Sequence, residues 1–199
     1  MGSQRVQRGG LKEAVPECVL KLPYPFERYH VYQGRTNDCG AYCIAMVSNG
    51  LYDIPLVNAA ALASELDRRG LPDRVPGWAL FPWGVVATFR RLGLHARWRR
   101  GARLTQLFGL LRRNLTTLVI VGEPLRFVNH KWSGWSHYKI LYAWEPEREF
   151  GFVDPATPQR AGVTWQKVEE FRRQWTWMGR QIIEVEGPGD AGILSAMRE

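Results

Sequence analysis

Apolar residues recur at helical spacing in the first half of the chain and at strand-like spacing in the second half. The helical spacing predicts helices over residues 40–49, 55–69, 82–92 and 104–113. The first of these ends at Asn49-Gly50, and the third begins at Pro82. Proline at the first position and glycine beyond the last are typical helix boundaries. Loops are predicted around residues 71–84, which are rich in proline and tryptophan, and over residues 123–135.

Runs of β-branched and aromatic residues predict strands in the second half. They lie at residues 94–99, 116–122, 135–144, 150–153 and 180–185. One more helix is predicted over residues 165–175, with Thr164 as its cap. Helices first and strands later are typical of an α+β fold, in which a helical lobe packs against an antiparallel sheet.

The length of 199 residues suits one domain with two lobes that share a cleft. We expect the domain over residues 21–187, a poorly ordered segment over residues 1–20 and a tail over residues 188–199. The N-terminus lacks the apolar core of a signal peptide, and no window approaches the ~18 apolar residues of a membrane span. A cytoplasmic location is therefore predicted.

The net charge of +8 comes from a single segment. Residues 90–113 hold eight of the 27 basic residues and no acidic one, so the remaining basic residues equal the 19 acidic residues in number. This Arg-rich segment could bind an acidic partner through charge complementarity. We favour a solvated face, and nucleic acid is not indicated because no nucleic-acid-binding motif accompanies the arginines.

A candidate nucleophile lies in the stretch Q-G-R-T-N-D-C-G-A-Y-C-I-A-M, which changes from polar to apolar at Cys39. Asp38 is a good N-cap residue, which places Cys39 in the first turn of a helix. The positive end of a helix favours the thiolate, the nucleophilic form of cysteine. Gln33 lies six residues earlier, where its carboxamide and the backbone N–H of Cys39 would make a two-donor oxyanion hole.

Two features around this cysteine need an interpretation. A carboxylate at Asp38 disfavours the thiolate, unless its oxygens cap the amides of Gly40 or Ala41. Cys43, one turn further on, is interpreted as a small core residue, with a resolving thiol as the less favoured alternative. Three cysteines do not make a disulfide framework, so we expect reduced thiols.

The candidate base is His137, which lies on the predicted strand 135–144. Asp154 follows the next predicted strand, and a short turn joins the two strands. The carboxylate could therefore accept a hydrogen bond from the imidazole and fix its tautomer. His130 and His137 do not predict a zinc site, because no further Cys or His cluster supplies the other ligands. Neither a metal nor a cofactor is predicted.

The order Gln33, Cys39, His137, Asp154 resembles that of the papain-like cysteine peptidases. The resemblance is strongest to the bacteriocin-processing peptidases that remove double-glycine leaders, and to their stand-alone relatives. D-C-G-A-Y-C-I-A-M-V resembles the nucleophile helix of that group, S-H-Y-K-I-L-Y-A-W its histidine strand and F-V-D-P-A its aspartate motif. The likeness covers roughly residues 30–185.

The resemblance implies a papain-like fold with the active site in the cleft between a helical lobe and a sheet. It implies that Cys39 is the nucleophile, His137 the base, Asp154 the orienting carboxylate and Gln33 the oxyanion donor. The implied activity is that of a thiol protease, a hydrolase acting on a peptide or protein. Three tryptophans are expected to line the substrate groove, namely Trp83, Trp132 and Trp135. The alternatives are that Trp83 packs within a rigid connector and that Trp132 and Trp135 cap the edge of the sheet.

Three alternatives to a peptidase remain open. A thiol acyltransferase of transglutaminase type would use the same triad and pass the acyl group to an amine. A non-catalytic peptide-binding module would keep the cleft without turnover. A basic adaptor would bind acidic partners through residues 90–113.

Overall fold

The computed structural model describes residues 15–128, 130–158 and 162–187. The predictions made for residues 1–14 and 188–199 lie outside these ranges. The helices are α1 Cys39–Tyr52, α2 Ala59–Arg69, α3 Pro82–Arg91, α4 Leu104–Arg112 and α5 Val168–Trp177. The strands are β1 Leu20–Lys21, β2 Arg74–Val75, β3 Ala79–Leu80, β4 His95–Arg99, β5 Thr116–Val128, β6 Lys131–Glu145, β7 Glu149–Val153, β8 Val163–Gln166 and β9 Ile182–Glu186.

An antiparallel sheet forms one layer of the molecule. Within the described ranges it has seven strands, in the order β4-β9-β5-β6-β7-β8, with β1 paired to β6. Strands β2 and β3 pair as a separate hairpin. The carbonyl of Pro16 accepts a hydrogen bond from the indole of Trp144, and Leu20 pairs with Trp144. The chain just before the predicted domain is therefore attached to β6.

Stacked aromatic rings join the last helices to the sheet. Phe150 of β7 lies 5.4 Å from Phe108 of α4 and 5.0 Å from Phe171 of α5, measured between ring centroids. Trp144 of β6 lies 5.1 Å from Phe150, and all four side chains are buried. Such aromatic pairs add to the free energy gained by burying apolar area.

Helix α1 is longer than predicted, because Gly50 does not end it. The helix continues to Tyr52, and Asp53 in the left-handed conformation terminates it. A Cβ at Gly50 would lie 2.2 Å from Phe26 Cδ1. Glycine is therefore required here for close packing, and its role as a helix stop was wrongly predicted.

Two predicted helix starts are also corrected. Helix α2 starts at Ala59, where the Asn58 side chain accepts a hydrogen bond from the Ala61 N–H, rather than at Pro55. Thr164 does not cap α5, because residues 163–166 pair with β7 as a strand. The Glu149 carboxylate of β7 instead accepts a hydrogen bond from the N–H of Val168 at the start of α5.

Both predicted loops contain strands. Residues 71–84 include the β2–β3 hairpin. The sequence 123–135 continues β5 and begins β6, with a register shift between Glu123 and Arg126. Pro124 lies within this register shift. Proline has no N–H to donate to a neighbouring strand, which a register shift tolerates, so Pro124 does not end β5.

Candidate active site

The candidate nucleophile lies where α1 begins. Cys39 is the first residue of the helix and its side chain is 8% exposed. Asp38 takes the N-cap position, as predicted, but its side chain makes no capping hydrogen bond. The expectation that it caps Gly40 or Ala41 was wrong. The carboxylate instead pairs with the guanidinium of Arg74, which lies on β2.

The pairing of β6 with β7 brings His137 and Asp154 together, although they are 17 residues apart. Ile140 pairs with Val153, so Asp154 lies one position beyond the paired end of β7. The Nε2 atom of His137 lies 2.6 Å from Oδ1 of Asp154, and the backbone N–H of Ala156 donates to the same oxygen at 2.9 Å. The other ring nitrogen, Nδ1, is left for Cys39, whose sulfur lies close enough to help raise the pKa of the imidazole.

The surroundings shift the pKa values of this pair in opposite directions. Burial by itself lowers the pKa of His137, but the hydrogen bond to Asp154 and the contact with Cys39 outweigh it and raise the pKa to about 9. Burial likewise opposes ionisation of Asp154, but His137 and Lys139 hold the pKa of its carboxyl well below the usual range. The pair is therefore an imidazolium and a carboxylate at neutral pH.

Lys139 was not identified from the sequence. Its Nζ atom lies 3.1 Å from Oδ2 of Asp154, so both oxygens of the carboxylate have a cationic partner. Lys139 follows His137 by two positions, and residues two apart on a strand point to the same face. This spacing was the signal that could have identified it.

Gln33 is placed beside the cleft by backbone and side-chain bonds. Its N–H donates to the carbonyl of Pro155 at 2.8 Å, which ties it to the segment after Asp154. Its Nε2 donates to the carbonyl of Thr36 at 2.8 Å and has a second hydrogen to offer. The side chain lines the same cavity as Cys39 and His137.

His30 is a second residue that sequence reasoning left without a role. It is 3% exposed, and its Nε2 lies 2.8 Å from the backbone carbonyl of Asp154. Together with the bond from Gln33 to Pro155, this contact holds two consecutive backbone carbonyls, those of Asp154 and Pro155. No local sequence pattern indicates such a contact.

The second cysteine of α1 has a structural role. Cys43 is fully buried, its thiol donates to the carbonyl of Tyr138 at 3.4 Å, and burial raises the pKa of the thiol. The bond joins α1 to β6 one turn below Cys39. These contacts agree with the interpretation of Cys43 as a core residue.

A cleft of about 870 Å³ opens at these residues. The predicted groove residues Trp83 and Trp135 line it and are 45% and 43% exposed. The side chain of Trp132 lies outside the described part of the structure. The hairpin contributes Trp78, which is 59% exposed. Phe81 stacks on Trp83 with 4.6 Å between the ring centroids, and both residues line the cleft.

Much of the Arg-rich segment is engaged in contacts within the protein. Arg97 and Arg99 pair with the buried Glu184 of β9, and Arg90 donates to the carbonyl of Ala96. These bonds attach β4 to its neighbours. Arg100 differs from them, because it lies over Trp98 at 6.0 Å and lines the cleft.

The described residues contain neither a metal-binding cluster nor a membrane-spanning helix. No group of three or more His, Cys, Asp or Glu side chains in this part of the chain could hold a metal ion. Among the same residues, no helix combines the length and the apolar character that crossing a bilayer requires.

The fold is the papain-like α+β fold predicted from the sequence, with the cleft between the helical lobe and the sheet. The structure is similar to a candidate C39-like peptidase from Bacillus anthracis, with a TM-score of 0.62 and 16% identity, over 85% of this chain and 98% of that chain. It is also similar to a double-glycine-motif protease from an AMS/PCAT transporter in complex with the leader peptide, with a TM-score of 0.52 and 19% identity, over 84% of this chain and 94% of that chain. Both structures match the family to which the sequence shows resemblance. No protein-family model and no curated protein matches the sequence.

Proposed function

We propose that this chain is a cysteine peptidase that uses Cys39, His137 and Asp154 as its catalytic residues. The observation that carries the proposal is a series of contacts: Cys39 acts on the imidazole of His137, and that imidazole is hydrogen-bonded to the buried carboxylate of Asp154. The series lies at the wall of an open cleft. A cysteine with a purely structural role would not require a neighbouring histidine that a carboxylate holds in one tautomer.

The reaction begins with the Cys39 thiolate and the His137 imidazolium. The sulfur attacks the carbonyl carbon of the scissile peptide bond. The backbone N–H of Cys39 and the free carboxamide hydrogen of Gln33 stabilise the oxyanion. Nδ1 of His137 then donates its proton to the leaving amine, and Asp154 keeps Nε2 protonated. Water, deprotonated by the same imidazole, then attacks the thioester, and release of the acid product restores the thiolate–imidazolium pair.

The proposed substrate is a peptide in an extended conformation along the cleft. The exposed rings of Trp78, Trp83 and Trp135 offer apolar surface to its side chains. One structural neighbour is a protease in complex with a leader peptide, which supports a peptide as the ligand of the equivalent groove. The domain proposed for this activity is residues 21–187.

The test is cleavage of a peptide library, followed by mass spectrometry, with the wild type and the Cys39→Ala and His137→Ala variants. Loss of cleavage in both variants at unchanged melting temperature is the expected result. The exposed Cys18 provides the matched control, because Cys18→Ala should cleave as the wild type does. Cleavage that persists in Cys39→Ala contradicts the proposal.

Two further measurements separate the proposal from its alternatives. Iodoacetamide should label Cys39 faster than Cys18 near neutral pH, although Cys39 is buried and Cys18 exposed. Equal labelling rates would contradict an activated thiol. Added amines that capture most of the acyl group in competition with water would indicate an acyltransferase instead.

A further inference from the structure

Arg74 is a buried cation at the junction of three elements. It is 0% exposed, its Nη2 pairs with Asp38, and its Nε pairs with Asp67 of α2. A buried arginine requires such partners, because an uncompensated charge is strongly unfavourable away from water. The guanidinium is therefore held between Asp67 of α2 and Asp38, the residue that precedes Cys39.

The contact with Arg74 changes what Asp38 does to the nucleophile. A carboxylate next to Cys39 opposes formation of a second negative charge on the sulfur. The same carboxylate, placed as a cap, would occupy backbone amides at the start of α1. Neither effect operates fully here, because the carboxylate is bonded to the guanidinium and makes no cap bond.

Arg74 also anchors one wall of the cleft. Asp67, which binds Arg74, accepts a second hydrogen bond from the N–H of Gly77 at 2.8 Å. Asn37 donates to the carbonyl of Gly77 at 3.3 Å. The β2–β3 hairpin is thus attached to α2 and to the segment before Cys39.

The same hairpin contacts the nucleophile helix directly. A Cβ at Gly40 would lie 2.9 Å from Cδ2 of Leu80, so the two chains approach closely. The carbonyl of Leu80 accepts the hydroxyl of Tyr138 at 2.9 Å. A substitution at Arg74 would therefore leave the Asp38 charge next to Cys39 unpaired and would also disturb the β2–β3 hairpin that packs against α1.

We infer that Arg74 is a positioning residue, which neutralises Asp38 and keeps Cys39 reactive near neutral pH. The inference deepens the proposed peptidase function and relies on Cys39 being its nucleophile. The other ionisable groups in electrostatic contact with Cys39 are His137 on β6, Cys43 on α1 and Tyr138 on β6. Asp154 binds both His137 and Lys139. None of these groups binds Asp38 in the described structure.

The experiment is a double-mutant cycle with Arg74→Met, Asp38→Asn and the double variant. The readout is the pH dependence of iodoacetamide alkylation at Cys39, measured by mass spectrometry with Cys18 as internal reference. Arg74→Met should move the Cys39 profile to higher pH by about one unit, because it exposes the sulfur to an unpaired carboxylate. Adding Asp38→Asn should restore the profile, and a merely structural role for Arg74 would not produce this rescue.

Asp38→Asn alone keeps the Arg74–Asp67 pair and is the variant that should fold without difficulty. It should leave the profile within about 0.3 pH unit of wild type, because Arg74 already neutralises the carboxylate. Arg69→Met is the matched control, since Arg69 pairs with Glu65 on the surface of α2 and its loss should change nothing.

Two results would overturn the inference. One is a profile that is unchanged in folded Arg74→Met. The other is a downward shift of about one unit in Asp38→Asn alone, which would mean that Arg74 does not neutralise the carboxylate. Alkylation requires no turnover, so the cycle can succeed in a protein that cleaves no peptide. In that case the proposed function fails and the inference stands, whereas normal cleavage with an insensitive profile refutes the inference alone.

Discussion

Asp154→Asn removes a charge from the candidate site with little change of shape. Asparagine keeps an oxygen in place of Oδ1, which accepts hydrogen bonds from His137 and from the N–H of Ala156. What disappears is the negative charge, which now raises the pKa of His137 against the effect of burial, and with it the oxygen that accepts from Lys139. We therefore expect the pKa of His137 to fall from about 9 toward its ordinary value of 6.5.

The pKa of His137 sets a limit on how much imidazolium the Asp154→Asn substitution can remove. If the whole upward shift were lost, the protonated fraction at about pH 8 would fall from about 90% to about 3%, a loss of about 30-fold. At about pH 6 the same change would reduce the imidazolium by less than about 2-fold. Cys39 continues to raise the pKa of His137, so the observed loss at alkaline pH should lie below this limit. Cleavage should decline in parallel, because the imidazolium protonates the leaving amine.

Nuclear magnetic resonance titration of the histidine rings measures the pKa directly and needs no substrate. Spectra of wild type and Asp154→Asn should be recorded with and without Cys39→Ala, which removes the contribution of the sulfur. His95 is exposed and serves as an internal reference. Asp53→Asn is the matched control, because it removes an exposed carboxylate far from the cleft and asparagine tolerates its left-handed backbone.

A His137 midpoint that stays near 9 in the Asp154→Asn, Cys39→Ala double variant would refute the reasoning. It would mean that neither partner raises the pKa and that another group does. A midpoint below 6.5 would agree with the argument, because burial alone lowers the pKa of an imidazole.

Three further predictions concern catalysis and stability. Gln33→Ala should reduce kcat by about 10²–10³-fold with little change in KM, because the second oxyanion donor acts only in the transition state; a loss below about 5-fold would contradict that role. The raised pKa of His137 contributes stability that is complete below its ordinary value of 6.5 and is lost as the pH rises through about 9. Urea unfolding should therefore show a decrease of up to about 3 kcal/mol between these values, absent in His137→Ala. The lowered pKa of Asp154 contributes stability above its ordinary value of 3.8, which is lost as the pH falls below it.

The parts of the site that sequence reasoning located are those defined by local patterns. The polar-to-apolar change around Cys39 predicted a helix start, and the helix does begin there. The aromatic run around His137 and the short turn after it predicted neighbouring strands, and β6 and β7 pair as expected. In both cases the residues that determine the geometry are close in sequence, since even His137 and Asp154 are only 17 residues apart.

The parts that were missed or wrong depend on contacts across the chain. Arg74 is 36 residues from Asp38, and its burial depends on how the β2–β3 hairpin folds onto α1. Gly50 signalled a helix end, but the ring of Phe26 decided its role. Thr164 matched a helix cap, but strand pairing with β7 was available and took precedence. Local propensity is a weak prior where tertiary contacts offer a better partner.

Taken together, the charges around Cys39 follow one arrangement. Asp38 is paired with Arg74, and Asp154 is shared between His137 and Lys139. Each carboxylate close to the sulfur thus has a cation of its own. Pairing has a different consequence in each case, because Arg74 keeps Asp38 from opposing the thiolate, whereas His137 is itself made cationic by Asp154. The first pair removes an unfavourable interaction with the sulfur and the second supplies a favourable one, so the two pairs favour the thiolate independently. In the Arg74→Met background, Asp38→Asn should therefore move the alkylation profile of Cys39 to lower pH, whereas Asp154→Asn should move it to higher pH.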